Sequence, residues 1–303
     1  MTFQNIFNPA AVNIETIHAE WLTDKKVALD VLRLDKIHPV VSGNKWFKLK
    51  YYLQEAEAQK KTTIATFGGA WSNHIVAVAF ACKEASLKSI GIIRGEQPRV
   101  LSHTLEKAVE YGMELHFVTR EEYRIKEAVI QKLAYNNWYW INEGGYGEAG
   151  AKGASEILSG VDLWHYSHII AAVGTGTMLA GLVLAATTKQ KVIGISSMKG
   201  NLSLEQGILR LIDKQKTGAK FQVIHDYHFG GYGKHPTPLI DFINEVYAKH
   251  DLPLDIVYTG KTFFAIKDLT EKNFFEPRSK LLMIHSGGLQ GNASLGDKLL
   301  QAV

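Results

Sequence analysis

Short apolar runs alternate with longer stretches of helical periodicity along most of the chain. The apolar runs, rich in β-branched and aromatic residues, predict strands at 62–67, 89–93, 114–118, 138–141, 167–173, 191–196, 221–225 and 280–285. The stretches between them predict helices at 45–61, 73–85, 101–111, 121–135, 149–158, 178–187, 204–215 and 237–250. Apolar strands that alternate with helices are typical of parallel sheets covered on both faces. We therefore predict an α/β fold with two open, mostly parallel sheets.

Two glycine-containing connectors mark the predicted boundary between the sheets. They are Ser42-Gly43 and the Glu-Gly-Gly-Tyr-Gly stretch at 143–147. A chain of 303 residues is long enough for about two domains. We predict a smaller α/β domain at 45–145 and a larger, discontinuous α/β domain formed by 1–44 and 146–303.

Composition and charge narrow the class of protein. Hydrophobic residues make up 46% and charged residues 21%, and 34 basic residues against 30 acidic ones are scattered without a basic block. This small and scattered excess of basic residues does not suggest nucleic acid as a partner. It is compatible with a small anionic ligand. The single Cys82 excludes a disulfide framework and predicts a reducing, cytoplasmic location.

Two segments bear on export and membranes. Residues 1–12 lack a basic start followed by an apolar core, so no signal peptide is predicted. The uncharged stretch at 169–186 is long enough to raise the question of a membrane span, but glycines interrupt it. A buried strand, a loop and a helix explain this stretch better, and no membrane partner is expected.

Lys45 opens a predicted helix directly after the turn signal Ser42-Gly43-Asn44, and Lys48 follows it at i+3. A lysine that is held and partly dehydrated loses some of its preference for the ammonium form. Its neutral amine can then attack a carbonyl and form a Schiff base. The alternative is that both side chains are solvated lysines at the start of a helix.

The Gly-Thr-Gly-Thr sequence at 174–177 follows an apolar strand and opens a helix. Glycines let several backbone N–H groups converge at the positive end of that helix, which suits a phosphate. A dinucleotide site would also require an acidic residue near the end of the next strand, where the chain reads Ser196-Ser197. Two interpretations of this loop stay open. It could bind a cofactor with one phosphate monoester, or it could be a tight turn without a ligand.

Another strand-to-helix junction is Phe-Gly-Gly-Ala-Trp-Ser-Asn-His at 67–74. Ser72, Asn73 and the first N–H groups of the helix could bind a carboxylate, although either residue could also be a plain N-cap. Two further glycine-containing loops carry Tyr232 and Tyr258, which could be packing residues or part of a site. The histidines at 225, 228 and 235 lack the carboxylate or thiol that would complete a metal-ligand pattern, so no metal is predicted.

These motifs occur in one order along the chain, and His-Ser-Gly-Gly at 285–288 completes them. From about residue 32 to 288 the chain resembles the pyridoxal-phosphate enzymes of the tryptophan synthase β-subunit fold (fold type II). The similar branch is that of D-cysteine desulfhydrase and 1-aminocyclopropane-1-carboxylate deaminase. The resemblance implies pyridoxal phosphate as the cofactor, a small amino acid as the substrate and a homodimer.

The resemblance also implies roles for individual residues. Lys45 is the expected Schiff-base lysine, Lys48 lies near the cofactor phosphate, and Asn73 lies beside the cofactor's phenolic oxygen. Catalytic roles are predicted for Lys45, Ser72, Tyr232 and Tyr258, cofactor contacts for Lys45, Lys48, Asn73, Gly174, Thr175, Gly176, Thr177, Thr259 and Ser286, and substrate contacts for Trp71, Ser72, Asn73 and His74.

The chain departs from the branch at two positions. Met178 stands where members commonly have a threonine, and Trp71 stands where many have a glutamine. The first change removes a hydrogen bond to the phosphate, and the second changes the substrate pocket.

Two other positions bear on the reaction. Deaminases of the branch typically carry the motifs Tyr-Glu-Gly-Lys and His-Leu-Gly-Gly. This chain has a hydroxyl residue at the second position of each motif, Thr259 in place of the glutamate and Ser286 in place of the leucine. A carboxylate against the pyridine nitrogen keeps it protonated and makes the ring a strong electron sink, which helps open an unactivated cyclopropane. A neutral hydroxyl cannot enforce that protonation, but β-elimination of a good leaving group needs less help.

The sequence therefore favours elimination from a D-amino acid such as D-cysteine, giving pyruvate, ammonia and sulfide, with Lys45 as the base at the α-carbon. The alternatives are cyclopropane-carboxylate deamination, racemisation or dehydration of serine-like substrates, and a non-catalytic protein that binds the cofactor or a nucleotide.

Overall fold

The computed structural model describes residues 12–133, 135–212 and 218–301. The strands in these ranges are β1 (Ile14–Ile17), β2 (Ala28–Arg33), β3 (Thr63–Gly68), β4 (Lys88–Arg94), β5 (Met113–Val118), β6 (Trp138–Ile141), β7 (His168–Val173), β8 (Lys191–Ser196), β9 (Lys220–Ile224) and β10 (Lys280–His285). The α-helices are α1 (Glu20–Lys25), α2 (Asn44–Ala58), α3 (Asn73–Glu84), α4 (His103–Glu110), α5 (Arg120–Arg124), α6 (Lys126–Leu133), α7 (Glu148–Ser155), α8 (Thr177–Ala185), α9 (Leu204–Leu211), α10 (Thr237–His250) and α11 (Thr259–Glu271). Short 3-10 helices lie at Leu34–Lys36, Glu143–Gly145, Glu156–Leu158, Leu163–His165 and Leu289–Lys298.

The strands form two sheets. One has the order β1-β2-β10-β7-β8-β9 and is parallel except for the antiparallel pair β1 and β2. The other has the order β5-β4-β3-β6 and is parallel throughout. Ile64 of β3 and Ile169 of β7 belong to one cluster of buried apolar side chains, so a continuous core joins the two sheets. The predicted fold class is confirmed.

The division into domains at 45–145 stays a prediction. Each strand of the four-stranded sheet lies within 63–141, and each described strand of the six-stranded sheet lies outside that range. Helix α2, however, packs closely on α7, because a Cβ added at Gly153 would lie 1.9 Å from the carbonyl oxygen of Phe47. The predicted smaller domain therefore begins with a helix that also contacts the larger one.

Most predicted elements lie within a few residues of their predicted bounds. The strands β6, β8 and β10 and the helix α10 match residue for residue, and the other predicted strands differ by one residue at their ends. The predicted helix at 204–215 ends at Leu211, and its last predicted residues fall in 213–217, outside the described residues. Residues 1–11, which make up most of the N-terminal segment where no signal peptide was predicted, also lie outside the described residues.

The prediction of one helix over 121–135 is wrong. The chain leaves the helical conformation at Ile125 (φ −111°, ψ 69°), which separates α5 from α6. Tyr123 and Val129 are buried in the same apolar cluster, yet in an unbroken helix they would point about 120° apart. The break allows both side chains to face the four-stranded sheet.

The sequence analysis missed four elements, β1, α1, β2 and α11. In β2 the charged Asp30 and Arg33 are buried and interrupt the apolar pattern. Arg33 is paired with Glu15 of β1 and with Asp35, two residues further on, and Asp30 accepts a hydrogen bond from the Tyr166 hydroxyl at 2.7 Å. The pairings with Glu15 and Tyr166 join residues far apart in the chain, so they cannot be read from the local sequence.

Candidate active site

A cavity of about 470 Å³ lies at the carboxyl edges of both sheets, where ligands of open parallel sheets bind. Arg94 ends β4 and Val173 ends β7, and both residues line it. Gly69, Glu143 and Ser286, each one or two residues beyond the end of a strand, line it as well. Because strands of both sheets end at this cavity, a bound ligand would contact both.

The turn before α2 fixes the position of Lys45. Gly43 has φ +65° and ψ −141°, a conformation that is essentially restricted to glycine, and an added Cβ would lie 1.8 Å from the carbonyl oxygen of Ser286. The next backbone N–H, that of Asn44, donates to the same oxygen at 3.2 Å. The turn therefore joins the start of α2 to the end of β10 and holds Lys45 at the cavity.

The environment of the two lysines weakens their preference for the ammonium form. Burial lowers the pKa of Lys45 to about 8, although the charge of Asp255 opposes the shift. Burial and the neighbouring Lys45 ammonium lower the pKa of Lys48 well below its ordinary value. The Lys45 Nζ donates to Asn44 Oδ1 at 2.8 Å, and the Lys48 Nζ donates to the Gly144 carbonyl at 3.2 Å. Both amines are held, as the sequence predicted for Lys45.

The glycine loop after β7 has the shape expected of an anion site. Gly176 has φ +87° and precedes the first turn of α8. Gly174 and Thr175 line the cavity, whereas Thr177 is fully buried beside it, with its Oγ1 3.1 Å from that of Thr175. The sulfur of Met178 accepts from Asn44 Nδ2 at 3.2 Å. The unusual methionine therefore supports the residue before Lys45.

The junction before α3 carries two buried polar atoms without a partner among the described residues, Asn73 Oδ1 and His74 Nδ1. Both residues line the cavity, and Asn73 Nδ2 donates to the Gly288 carbonyl at 3.2 Å. Buried polar atoms are rarely left unpaired, so these two point to a polar ligand.

The tautomer of His74 follows from its neighbour Thr66. The Thr66 hydroxyl has one hydrogen and donates it to the Ile141 carbonyl at 2.8 Å. It must therefore accept from His74 Nε2, 2.9 Å away, which leaves Nδ1 as an acceptor. Burial and the two nearby lysines lower the pKa of His74 well below its usual value, so the ring is neutral. His74 as a substrate contact stays a prediction, and through Nδ1 it would accept from a donor group rather than bind a carboxylate.

Tyr232 and Tyr258 meet in the cavity wall with ring centroids 6.1 Å apart. Burial raises the pKa of both phenols, and each is also influenced by the other. Both hydroxyls are therefore protonated near neutral pH and can donate hydrogen bonds.

The structure brings most of the predicted site residues together. Those that line the cavity are Lys45, Lys48, Trp71, Ser72, Asn73, His74, Gly174, Thr175, Gly176, Tyr232, Tyr258 and Ser286. Thr177 and Thr259 are fully buried and do not line it. The Thr259 hydroxyl donates to Asp255 Oδ2 at 2.7 Å, and its role as a cofactor contact stays a prediction.

Sequence reasoning missed three charged residues at the site. Arg94 and Glu143 line the cavity, and their positions near the ends of β4 and β6 were the available signal. Asp255 lies behind the cavity, where its carboxylate accepts from the backbone N–H groups of Val257, Tyr258 and Thr259 at 2.7 to 2.8 Å. Aspartate side chains commonly bind the backbone N–H groups that follow them in a turn, but without α11 this turn was not recognised.

The residues present fit an anionic cofactor that reacts with an amine. The charged residues that line the cavity are three cations, Lys45, Lys48 and Arg94, and one acid, Glu143. Glu143 is paired with Lys126 at 2.7 Å, so basic groups outnumber free acidic groups at the cavity. The loop at 174–177, the two unpartnered polar atoms and the amine of Lys45 together suit a phosphate-bearing aldehyde such as pyridoxal phosphate.

The described residues contain no group of three or more histidine, cysteine, aspartate or glutamate side chains placed to hold a metal ion. His225 instead contacts Glu205 at 2.7 Å, and His228 Nδ1 accepts from the Gly230 N–H at 2.9 Å. In the same ranges, none of the helices has the length and apolar character needed to cross a membrane.

Comparison with known proteins agrees with this site. Residues 16–287 match the family described as pyridoxal-phosphate dependent enzyme. A Thermotoga maritima protein provisionally named 1-aminocyclopropane-1-carboxylate deaminase is 31% identical over 281 residues, which cover 86% of this chain and 88% of the relative. An Arabidopsis thaliana protein named as a bifunctional, mitochondrial D-cysteine desulfhydrase/1-aminocyclopropane-1-carboxylate deaminase is 28% identical over 280 residues, which cover 83% of this chain and 70% of the relative.

A solved structure gives the same result. The crystal structure described as the ACC deaminase homologue, where ACC is 1-aminocyclopropane-1-carboxylate, matches with a TM-score of 0.82 and 26% identity. The match covers 96% of this chain and 94% of that one. The chain therefore belongs to the pyridoxal-phosphate dependent enzymes, in the group of lyases that contains the 1-aminocyclopropane-1-carboxylate deaminases and D-cysteine desulfhydrase.

Proposed function

We propose that the enzyme catalyses β-elimination from a small D-amino acid such as D-cysteine. With one water consumed, the reaction gives pyruvate, ammonia and hydrogen sulfide. The observation that carries this proposal is the shortage of carboxylates at the cavity. Among the described lining residues the one carboxylate is that of Glu143, which is already paired with Lys126.

The nearby buried carboxylate does not change this conclusion. Asp255 accepts three backbone N–H groups at the start of α11 and the hydroxyl of Thr259, so its hydrogen-bonding capacity serves the helix. Pyridoxal phosphate supplies an electron sink for bonds at the α-carbon when it is bound. Without a carboxylate to protonate its ring nitrogen, that sink suits loss of a thiolate better than opening of a cyclopropane.

The residues of the chain then have distinct tasks. The loop at 174–177 and Lys48 hold the phosphate, and Ser72 with the N–H groups that begin α3 binds the substrate carboxylate. The amine of Lys45, whose pKa of about 8 leaves part of it neutral near pH 7, removes the proton from the α-carbon. Tyr232 and Tyr258, kept protonated by burial, donate to the departing sulfur or relay its proton.

Deamination of 1-aminocyclopropane-1-carboxylate is the second candidate. The names of the Thermotoga maritima protein and of the solved homologue favour it, and the Arabidopsis thaliana relative is named for both activities.

A homodimer and a cytoplasmic location also stay predictions.

Parallel assays separate these candidates. The purified protein, supplied with pyridoxal phosphate, is assayed for sulfide and pyruvate from D-cysteine and L-cysteine, and for ammonia and 2-oxobutanoate from the cyclopropane substrate. We expect turnover of D-cysteine, its loss in Lys45→Ala, and its retention in the control Lys50→Ala, which changes a lysine that contacts Glu156 instead. Turnover of the cyclopropane substrate alone would favour the second candidate. A bound cofactor without turnover of any of the three would indicate a binding protein.

A further inference from the structure

Lys261 is a buried cation to which the proposed chemistry gives no task. It lies in the first turn of α11 with an exposed fraction of 1%. Its Nζ donates to the carbonyl oxygens of His228 and Gly231, both at 2.9 Å. Burial lowers its pKa to about 8, against the charge of Asp255.

Packing alone does not explain why a lysine occupies this buried position. Burying an ammonium group costs free energy, and an apolar side chain of similar volume such as methionine would fill the same space. The two short contacts are made to one loop, so the effect of Lys261 is to restrain that loop.

The restrained loop is the one that carries Tyr232. Its backbone lies in the left-handed region at three successive residues, Phe229 (φ +51°), Gly230 (φ +93°) and Gly231 (φ +124°), and it forms neither strand nor helix. Tyr232 follows directly. Its phenol end is shielded beside Tyr258, but 44% of the residue is exposed, so its own packing restrains it only in part. The contacts of Lys261 lie immediately before it.

The start of the same helix positions the other tyrosine, Tyr258. Tyr258 is the residue before α11, and Asp255 binds its backbone N–H, so Tyr258 is fixed from the start of that helix. Lys261, three residues later, reaches the facing loop. Within the short segment 255–261, Asp255 thus binds the backbone of Tyr258 and Lys261 binds the loop of Tyr232.

We propose that Lys261 is a positioning residue that holds Tyr232 against Tyr258 in the wall of the active site. The proposal rests on the proposed function, in which these two phenols donate or relay protons during elimination. It predicts that Lys261 acts on catalysis through Tyr232 and not on its own.

A double-mutant cycle tests this coupling. We expect Tyr232→Phe to lower kcat for D-cysteine by about 10²-fold and Lys261→Met by about tenfold, because proton transfer by a placed group is typically worth that much or more. The double variant should be no slower than Tyr232→Phe alone. KM and the visible absorption of the bound cofactor should change by less than about twofold. The control is Lys267→Met, on the same helix, where the lysine contacts Glu271.

A second readout needs no catalysis. Protein labelled with 3-fluorotyrosine and free of cofactor gives a fluorine NMR signal for Tyr232, assigned by its loss in Tyr232→Phe. In Lys261→Met this signal should move toward the position of an exposed, mobile tyrosine, while that of the remote, exposed Tyr135 stays in place. Should Lys261→Met fail to fold, Lys261→Gln takes its place in both measurements. Its shorter, neutral side chain weakens the contacts to the loop without removing every donor, so the same changes are expected to a smaller extent.

The outcomes are distinguishable. Losses that multiply in the double variant, or an unmoved Tyr232 signal, would overturn the positioning role. Wild-type protein that does not turn over D-cysteine would instead contradict the proposed function, and the NMR result would still decide the role of Lys261.

Discussion

The pKa of Lys45 reflects two opposing environmental effects at one atom. Burial disfavours the ammonium form, and the negative charge of Asp255 restores part of its stability, which leaves a pKa of about 8. The sequence indicated a restrained lysine after Ser-Gly-Asn. It could not indicate Asp255, which lies 210 positions further along the chain. The rate of cofactor attachment measures the result of both effects.

Attachment of pyridoxal phosphate to cofactor-free protein should depend on pH as the neutral fraction of Lys45 does. Below the pKa the amine is mostly protonated, so the rate should rise about tenfold per pH unit. Above a pH of about 8 it should level off. Stopped-flow absorption of the bound cofactor measures this profile. A rate that still rises steeply at pH 10 would show an ordinary lysine.

Asp255→Asn should lower the apparent pKa in that profile further, because it removes the charge that favours the ammonium form. The same variant should lose about 1 to 3 kcal/mol of unfolding free energy, because an amide NH₂ would face the N–H of Thr259. Asp241→Asn, at an exposed position on α10, is the matched control and should change neither quantity. An unchanged apparent pKa in Asp255→Asn would contradict the assigned electrostatics.

At the scale of elements, helix α7 fits between α2 and α8 through its glycines. A Cβ at Gly153 would lie 1.9 Å from the Phe47 carbonyl oxygen of α2. One at Gly150 would lie 3.0 Å from the Thr177 methyl group of α8 and 3.3 Å from the Tyr52 ring of α2. A Cβ at Gly181 of α8 would meet the backbone of α7 at 2.6 Å. The close approach of α7 determines where α2 presents Lys45 and Lys48.

Gly153→Ala should therefore push α2 away from α7. We expect a loss of about 1 to 3 kcal/mol in unfolding free energy, typical of an overpacked contact, together with weaker retention of the cofactor. Urea unfolding and dialysis against buffer measure the two effects.

Gly207→Ala provides the matched control, because a Cβ at this helical glycine meets nothing closer than 3.7 Å. It should leave stability unchanged or raise it by up to about 1 kcal/mol. Equal effects of the two substitutions would show that the α2–α7 contact is not tight.

At the scale of the whole molecule, the cavity joins the two sheets. The loop at 174–177, the proposed phosphate site, follows β7 of the six-stranded sheet, whereas the junction at 69–74 follows β3 of the four-stranded sheet. A ligand that contacts both loops binds only when the sheets are in their native arrangement. Binding should therefore stabilise the entire chain.

Saturating pyridoxal phosphate should raise the Tm by about 5 °C or more, since a ligand at 100 times its Kd adds about 2.7 kcal/mol. Pyridoxal, which lacks the phosphate, should give a smaller rise because it leaves the 174–177 loop unused. Thermal unfolding followed by circular dichroism measures both, and equal shifts would argue against that loop as the phosphate site.

Much of the fold and of the site could be predicted from the sequence by itself. Apolar runs that are buried on both faces, such as β7 and β10, are recognisable because their environment is uniform. Many residues of the cavity lie in glycine-containing loops that the sequence indicated, because tight turns before helices require glycine and small polar residues. These are local constraints, and the local sequence carries them.

Only the tertiary structure decided the rest. Asp30 and Arg33 are stable in a buried strand because Tyr166 and Glu15, on other elements, pair with them alongside the neighbouring Asp35. Helix α5 ends at Arg124 because Tyr123 and Val129 share one core. The acceptor state of His74 depends on Thr66 and the carbonyl of Ile141. Charge, hydrogen bonding and burial act between residues that are far apart in the chain, so the partners are known only once the chain is folded.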